Sequence, residues 1–263
     1  MALRLGLVTD VHHGPDTPVR PGHVALGLLA EFAATMRQRF RPAALLDLGD
    51  RINDREAAED ARRIAEVLQA LGAARVPVLA LHGNHDVVNL DVPTVTGLLG
   101  RSAPWESVAV GGAHLVLLNT QDPMMPGGGG SLSSAQLDWL EEDLARATGP
   151  VLVFSHHPLD EQDTAAHWYF PTHPGCALAE GRARAREILA RSGKVRGVFS
   201  GHMHWNHVQV LDGIPYVTVG SLVEVRLTGG RPAGSFAEIT LERSGRLAVE
   251  VRGALPFRYV TPR

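Results

Sequence analysis

Leu3-Arg4-Leu5-Gly6-Leu7-Val8-Thr9-Asp10-Val11-His12 begins as an apolar run of strand length and ends in Asp10 and His12, a carboxylate and an imidazole two residues apart. The same pattern recurs down the chain. Ala43–Leu48 leads into Gly49-Asp50, and Val76–Leu81 leads into Gly83-Asn84-His85-Asp86. Val151–Phe154 leads into His156-His157-Pro158, and Val195–Phe199 into Gly201-His202-Met203-His204. With Leu115–Leu118, these runs read as buried strands. Between them lie stretches of helical period rich in Ala, Leu, Glu and Arg: Val24–Phe40, Glu56–Leu71, Ser133–Ala147 and Arg182–Arg191. Alternating strands and helices predict parallel strands covered by helices. Past Ser200 the helical period is lost. Asn206–Leu211, Pro215–Val219, Ser235–Leu241 and Arg246–Val251 read as antiparallel strands between Asp-Gly, Gly-Gly and Ser-Gly turns. The expected architecture is α/β, a layered α/β/β sandwich.

Composition bounds what such a chain does. At 263 residues and 44% hydrophobic content, a single domain over 1–263 is expected. A net charge of -3 provides no basic field, which argues against a nucleic-acid partner. No apolar stretch approaches the roughly 18 residues of a membrane span. The first apolar run starts within three residues of Met1, leaving no room for a charged leader, and Cys176 is the only cysteine. The expectation is a cytoplasmic protein with no membrane partner; nothing in the sequence speaks to oligomeric state. Two loops stand out. Pro126–Gly130 is glycine-rich but has no Lys-Ser/Thr after it, so it reads as a flexible loop and not as a phosphate cradle. The helix-poor stretch 158–180 is expected to be a substrate-side insertion, and its His167-Trp168-Tyr169-Phe170 either stacks on a nucleobase or plugs the loop down, the plug being the simpler reading.

Carboxyl ends of strands build sites, and five of these ends carry Asp, Asn or His. In an extended segment, i and i+2 point the same way, so Asp10 with His12, and His202 with His204, can each present two ligands. Asp10, His12, Asp50, Asn84, His156, His202 and His204 make two carboxylates, one amide oxygen and four imidazoles, too many for one ion. Structural zinc favours cysteine-rich sets of four, and calcium favours oxygen alone. Mixed N/O ligation with a carboxylate free to bridge suits two transition ions such as Mn, Fe or Zn.

Asp-x-His, Gly-Asp-x-x-Asn, Gly-Asn-His-Asp, His-His-Pro and Gly-His-x-His, in this order over residues 10 to 204, resemble the calcineurin-like metallophosphoesterase superfamily. The resemblance implies an α/β/β/α sandwich with mixed sheets and hydrolysis of a phosphate ester by a dimetal-bound hydroxide. It implies one ion on Asp10, His12, Asp50 and His204, and a second on Asp50, Asn84, His156 and His202. It also implies that His85 meets the substrate and that Asp86 orients its ring. The closest pattern is that of bacterial cyclic-nucleotide and glycerophosphodiester phosphodiesterases. Asn53 stands where purple acid phosphatases carry a metal-bound tyrosine, which argues against that branch. Arg51 is expected either to contact substrate phosphate or to compensate acids nearby. The expected partner is a small phosphate ester, nucleotides included, cleaved as a mono- or diester. A pyrophosphohydrolase is the alternative enzyme; a metal-bound scaffold without activity would lack a ligand, and none is lacking.

Overall fold

Strand β1 (Leu3–Val8) is buried because it has a partner on each edge and a layer on each face. The computed structural model describes residues 2–262. After β1 come α1 (Ala25–Thr35), β2 (Ala44–Asp47), α2 (Ala57–Gly72), β3 (Val78–Ala80), α3 (Val92–Leu98), β4 (Glu106–Val110) and β5 (Ala113–Leu117). The short pair β6 (Gln121–Asp122) and β7 (Ser131–Leu132) precedes α4 (Ser134–Arg146), β8 (Val151–Phe154), α5 (Arg182–Ser192) and β9 (Val195–Ser200). The chain ends with β10 (His207–Leu211), β11 (Ile214–Thr218), β12 (Phe236–Leu241), β13 (Leu247–Arg252) and β14 (Phe257–Val260).

Two six-stranded sheets result, in the orders β14-β13-β12-β1-β2-β3 and β10-β11-β9-β8-β5-β4. Each is mixed: β1, β2 and β3 run parallel, as do β5, β8, β9 and β11, with antiparallel strands at the flanks. Leu5, Leu7, Leu46 and Ile239 of the first sheet meet Leu115, Phe154 and Phe199 of the second in one buried core. The rings of Phe154 and Phe199 stack at 5.3 Å. Truncating either ring to alanine would cost about 3–5 kcal/mol. On the outside, Leu29, Phe32, Val67 and Leu71 of α1 and α2 cover the first sheet. Leu140, Leu144, Ile188 and Leu189 of α4 and α5 cover the second. The architecture is α/β/β/α.

Several departures from the sequence reading have local causes. The helical stretch expected through Phe40 leaves α-helical geometry after Thr35 and continues as a wider turn to Arg41, which adopts φ 54°. Helix α3 is only seven residues long and is capped by Asp91, whose carboxylate accepts from Thr94 N at 2.8 Å. Strand β4 is a half-exposed edge without a continuous apolar run. The last strands divide between the sheets: β10 and β11 extend the second, whereas β12 to β14 return to the first through β1. Segment 158–180 lies off the sheets, tied down by Ala179 N to Pro158 O at 3.1 Å and Glu180 N to Gly130 O at 2.8 Å. No helix among the described residues is long and apolar enough to cross a membrane.

Candidate metal centre

Parallel strands of both sheets end at one edge, and their loops bring all seven expected ligands together. Backbone geometry does this by a different route from the one expected. Asp10, His12, His202 and His204 are not extended: their φ values are 52°, 49°, 67° and 55°, and Asp50 joins them at 54°. Five of the eight non-glycine residues with positive φ among the described residues are therefore these side chains. Such conformations are costly and cluster at functional sites. Neighbouring glycines permit the close approach. A methyl group on Gly83 would collide with the backbone and carboxylate of Asp50, and one on Gly201 with Thr9 and Asp10.

His12 Nε2 lies 3.8 Å from Asp50 Oδ2, and His156 Nε2 reaches the same oxygen at 3.5 Å. His156 Nε2 is also 3.1 Å from Asn84 Oδ1, and His12 Nε2 is 3.1 Å from His204 Nε2. Behind each imidazole, the outer nitrogen has an acceptor: Ile52 O for His12, Leu48 O for His156, Cys176 O for His202 and Glu224 Oε2 for His204. With the outer nitrogens donating, the inner ones face the cluster as lone pairs. His204 Nε2 comes within 3.3 Å of Asp10 Oδ1, but that buried oxygen accepts no hydrogen bond of acceptable geometry. Once the imidazoles are neutral, lone pairs and carboxylates converge as a set that fits cations.

The charge balance agrees. Burial opposes charge on His156, yet Asp50 raises it to about 9. Burial likewise opposes charge on His204, which Asp10 and Glu224 raise to about 9. Against the same desolvation, these imidazoles hold Asp10 below, and Asp50 well below, the ordinary carboxylate range. Burial pushes His12 and His202 well below the usual histidine value. In the ion-free chain, two protons thus do the work that cations would do.

Asp86 is not the orienting group for His85. Its carboxylate accepts from the backbone N–H groups of Asp50, Arg51 and Gly83 and from Arg51 Nη1 at 2.7 Å, so it braces the loop and leaves the ring alone. The ring is held by Asp54, whose Oδ1 is 2.5 Å from His85 Nδ1 and whose pKa that hydrogen bond lowers. Arg51 lies fully buried between Asp47 and Asp86, each at 2.7 Å, and compensates acids. His157 is equally enclosed, with Nδ1 on Thr120 Oγ1 and Nε2 on Gly128 O. Asn53 donates to Pro15 O at 2.8 Å.

A cavity of about 680 Å³ opens over the cluster. His85, Asp54 and Arg20 form its polar side; Val88, Met124, Met125, Trp168 and Tyr169 form an apolar side. The aromatic run divides its work. His167 and Phe170 are buried and pin the loop, with His167 Nε2 donating to Met203 O, whereas Tyr169 is 41% exposed. The glycine loop reaches the site too: Gly127 and Gly128 line the cavity, and a methyl group on Gly130 would strike the His157 ring. Arg20, Asp54 and Glu224 escaped the sequence reading because none belongs to a motif. The only signal for Asp54 was its place four residues after Asp50.

Residues 3–206 match the family model described as calcineurin-like phosphoesterase. A probable cyclic nucleotide phosphodiesterase of Synechococcus is 29% identical over 219 residues, covering 80% of this chain and 76% of that protein. The human serine/threonine-protein phosphatase CPPED1 is 33% identical over 164 residues, 57% of this chain and 48% of its own length. Among solved structures, a dimetal phosphatase from Danio rerio shares the fold with a TM-score of 0.78 at 20% identity, covering 98% of each chain.

Proposed function

Because the chain belongs to the calcineurin-like phosphoesterase family and is a metal-dependent phosphohydrolase, we propose that it cleaves small-molecule phosphate esters, nucleotides among them, in the cytoplasm. The residues that would hold two ions of Mn, Fe or Zn are Asp10, His12, Asp50 and His204 for one, and Asp50, Asn84, His156 and His202 for the other. Asp50 is the shared ligand, in keeping with an Oδ2 that both His12 and His156 approach. Bound there, the ions supply an acidified water and offset charge on the phosphoryl oxygens.

The chain's own groups do the rest. Asp54 takes the Nδ1 hydrogen of His85, which turns Nε2 toward the cavity to bind phosphate or protonate the leaving oxygen. Glu224 fixes the His204 ring. Within a single domain over 1–263, segment 158–180 is the substrate-side insertion, and Trp168 and Tyr169 with Met124 and Met125 receive the organic part of the ester. The observation that carries this reading is the set of four imidazoles whose outer nitrogens are all engaged while the inner nitrogens of His12, His156 and His204 approach the carboxylates of Asp10 and Asp50 and His202 lies beside His156. Counting ions per chain after loading, and assaying cyclic nucleotides, other diesters, monoesters and nucleotide-linked diphosphates, tests it. Two ions and turnover of a mono- or diester are expected. Turnover confined to diphosphates would instead select the pyrophosphohydrolase alternative, and two ions with no turnover at all would point to the scaffold.

A further inference from the structure

We propose that Arg20, on a loop outside every motif, anchors a phosphoryl oxygen of the substrate, and that Asn53 positions it. The inference rests on the hydrolase reading above. Arg20 lines the cavity beside His85 and Asp54, with Nη1 2.9 Å from His85 Nε2 and 3.2 Å from His12 Nδ1. The second contact is not a hydrogen bond when His12 turns Nε2 inward, because Nδ1 then carries the hydrogen it gives to Ile52 O. Two donors face each other. His85 Nε2 is the one side-chain acceptor left to the guanidinium, and only while it carries no hydrogen; once Nε2 bears the hydrogen it offers to phosphate or to a leaving oxygen, Arg20 has none. Arg20 Nε is buried without a partner, and among the described residues no carboxylate pairs with this arginine, in contrast to Arg51 with its two. A half-enclosed cation without an anion is costly unless its partner arrives with the ligand. A guanidinium fork matches two oxygens of a tetrahedral phosphoryl group.

The loop is built to hold this arm still. Thr17 N donates to Arg20 O at 2.9 Å, Arg20 N donates to Thr17 Oγ1 at 3.0 Å, and Val225 N donates to Val19 O at 3.1 Å. Asn53, the residue that departs from the purple-phosphatase pattern, ties down Pro15 through its amide. A tyrosine there has no such amide to offer. The departure thus has a use in substrate binding.

The test is calorimetric titration of inorganic phosphate into the Mn-loaded full chain, with steady-state hydrolysis alongside, for wild type, Arg20→Ala, Arg20→Lys and Asn53→Ala. Arg20→Ala is expected to weaken phosphate binding roughly 10- to 100-fold, as for loss of a charge-assisted hydrogen bond. KM should rise more than kcat falls, with ion content unchanged. Arg20→Lys should recover part of the affinity, millimolar guanidinium should restore part of the turnover of Arg20→Ala, and Asn53→Ala should shift KM in the same direction by less. Phosphate affinity within twofold of wild type in Arg20→Ala overturns the proposal. If that variant fails to fold, Arg20→Lys decides, and unaltered affinity and KM there overturn it equally. A wild type that holds both ions yet turns over no ester sinks the hydrolase reading alone, and the phosphate titration still decides Arg20.

Discussion

Replacing Asp54 and Asp86 separately with alanine distinguishes a group that serves the chemistry from one that serves the fold, although both carboxylates lie near His85. Asp54 is about a quarter exposed and makes one strong contact, to His85 Nδ1 at 2.5 Å. A charge-assisted hydrogen bond is worth ~1.5–3 kcal/mol, or roughly 10- to 150-fold in rate where it acts on the transition state. Asp54→Ala should therefore slow kcat by roughly 10- to 100-fold on esters with poor leaving groups. The loss should be smaller on nitrophenyl esters, which depart without a proton, and the melting temperature should move by only a few degrees. Asp86→Ala removes the acceptor for three backbone N–H groups and one of the two carboxylates on a fully buried arginine. Breaking such a pair costs about 3–5 kcal/mol. At about 2–4 °C per kcal/mol, the melting temperature should fall by roughly 6–20 °C. Calorimetric melting and kcat on two leaving groups read both. A native melting temperature with slowed chemistry in Asp86→Ala, beside a silent Asp54→Ala, would return the orienting role to Asp86.

Glu224→Gln, which weakens the acceptor behind His204, should lower ion affinity roughly 10- to 100-fold while leaving kcat near native at saturating metal, as equilibrium dialysis and rates will show. Loading the ion-free chain at pH 7 should release close to two protons, one each from His156 and His204, both of which are raised to about 9 and must be neutral to bind; calorimetry in buffers of different ionisation enthalpy measures it. Because these two folded-state values are raised, their stabilisation of the ion-free chain is full below about pH 6.5 and disappears as pH rises through about 9, a loss that denaturant titrations should detect and that metal loading should abolish. Chelation should lower the melting temperature by about 5–11 °C per ion held at a hundredfold excess over its dissociation constant, and Asp50→Ala should show little dependence on metal.

That the seven expected ligands would lie together was legible because each follows an apolar run, and a run of buried strand character fixes where a loop begins. What surrounds them was not. Asp54, Glu224 and Arg20 make contacts with residues 20 to 65 positions away, and pairing across such separations leaves no periodic trace in a single chain. The expectation that Asp86 orients His85 failed for a related reason. Adjacency in sequence places Asp86 beside His85, but the short helical turn at His85–Val87 sends the carboxylate back under Gly83. Likewise, the i, i+2 argument for Asp10 with His12 assumed an extended backbone that the structure does not have, since a positive φ, although commoner for Asp and His than for most residues, is not fixed by residue type. Of the fold, the long strands and helices were readable, whereas β4, β14 and α3 are too short or too half-exposed to carry a pattern.

The strained backbone at Asp10, His12, Asp50, His202 and His204 bears on why this cluster sits between two sheets. Residues held at such backbone angles cost about 1–3 kcal/mol each. Five of them amount to roughly 5–15 kcal/mol, as large as the net stability of a typical domain. One sheet with its helices would have to hold that strain against a single layer of packing. Here Asp10, Asp50 and Asn84 leave the first sheet, while His156, His202 and His204 leave the second, and the shared core of Leu5, Leu46, Phe154 and Phe199 fixes the sheets against each other. The left-handed turns therefore cannot relax without separating layers that bury complete leucine and phenylalanine side chains. An ion held across the gap would add to the same constraint. Rigidity at the centre follows from the interior of the sandwich; the Arg20 loop and segment 158–180 lie outside it, and the segment reaches the centre through Cys176 O, which accepts from His202 Nε2 at 2.8 Å.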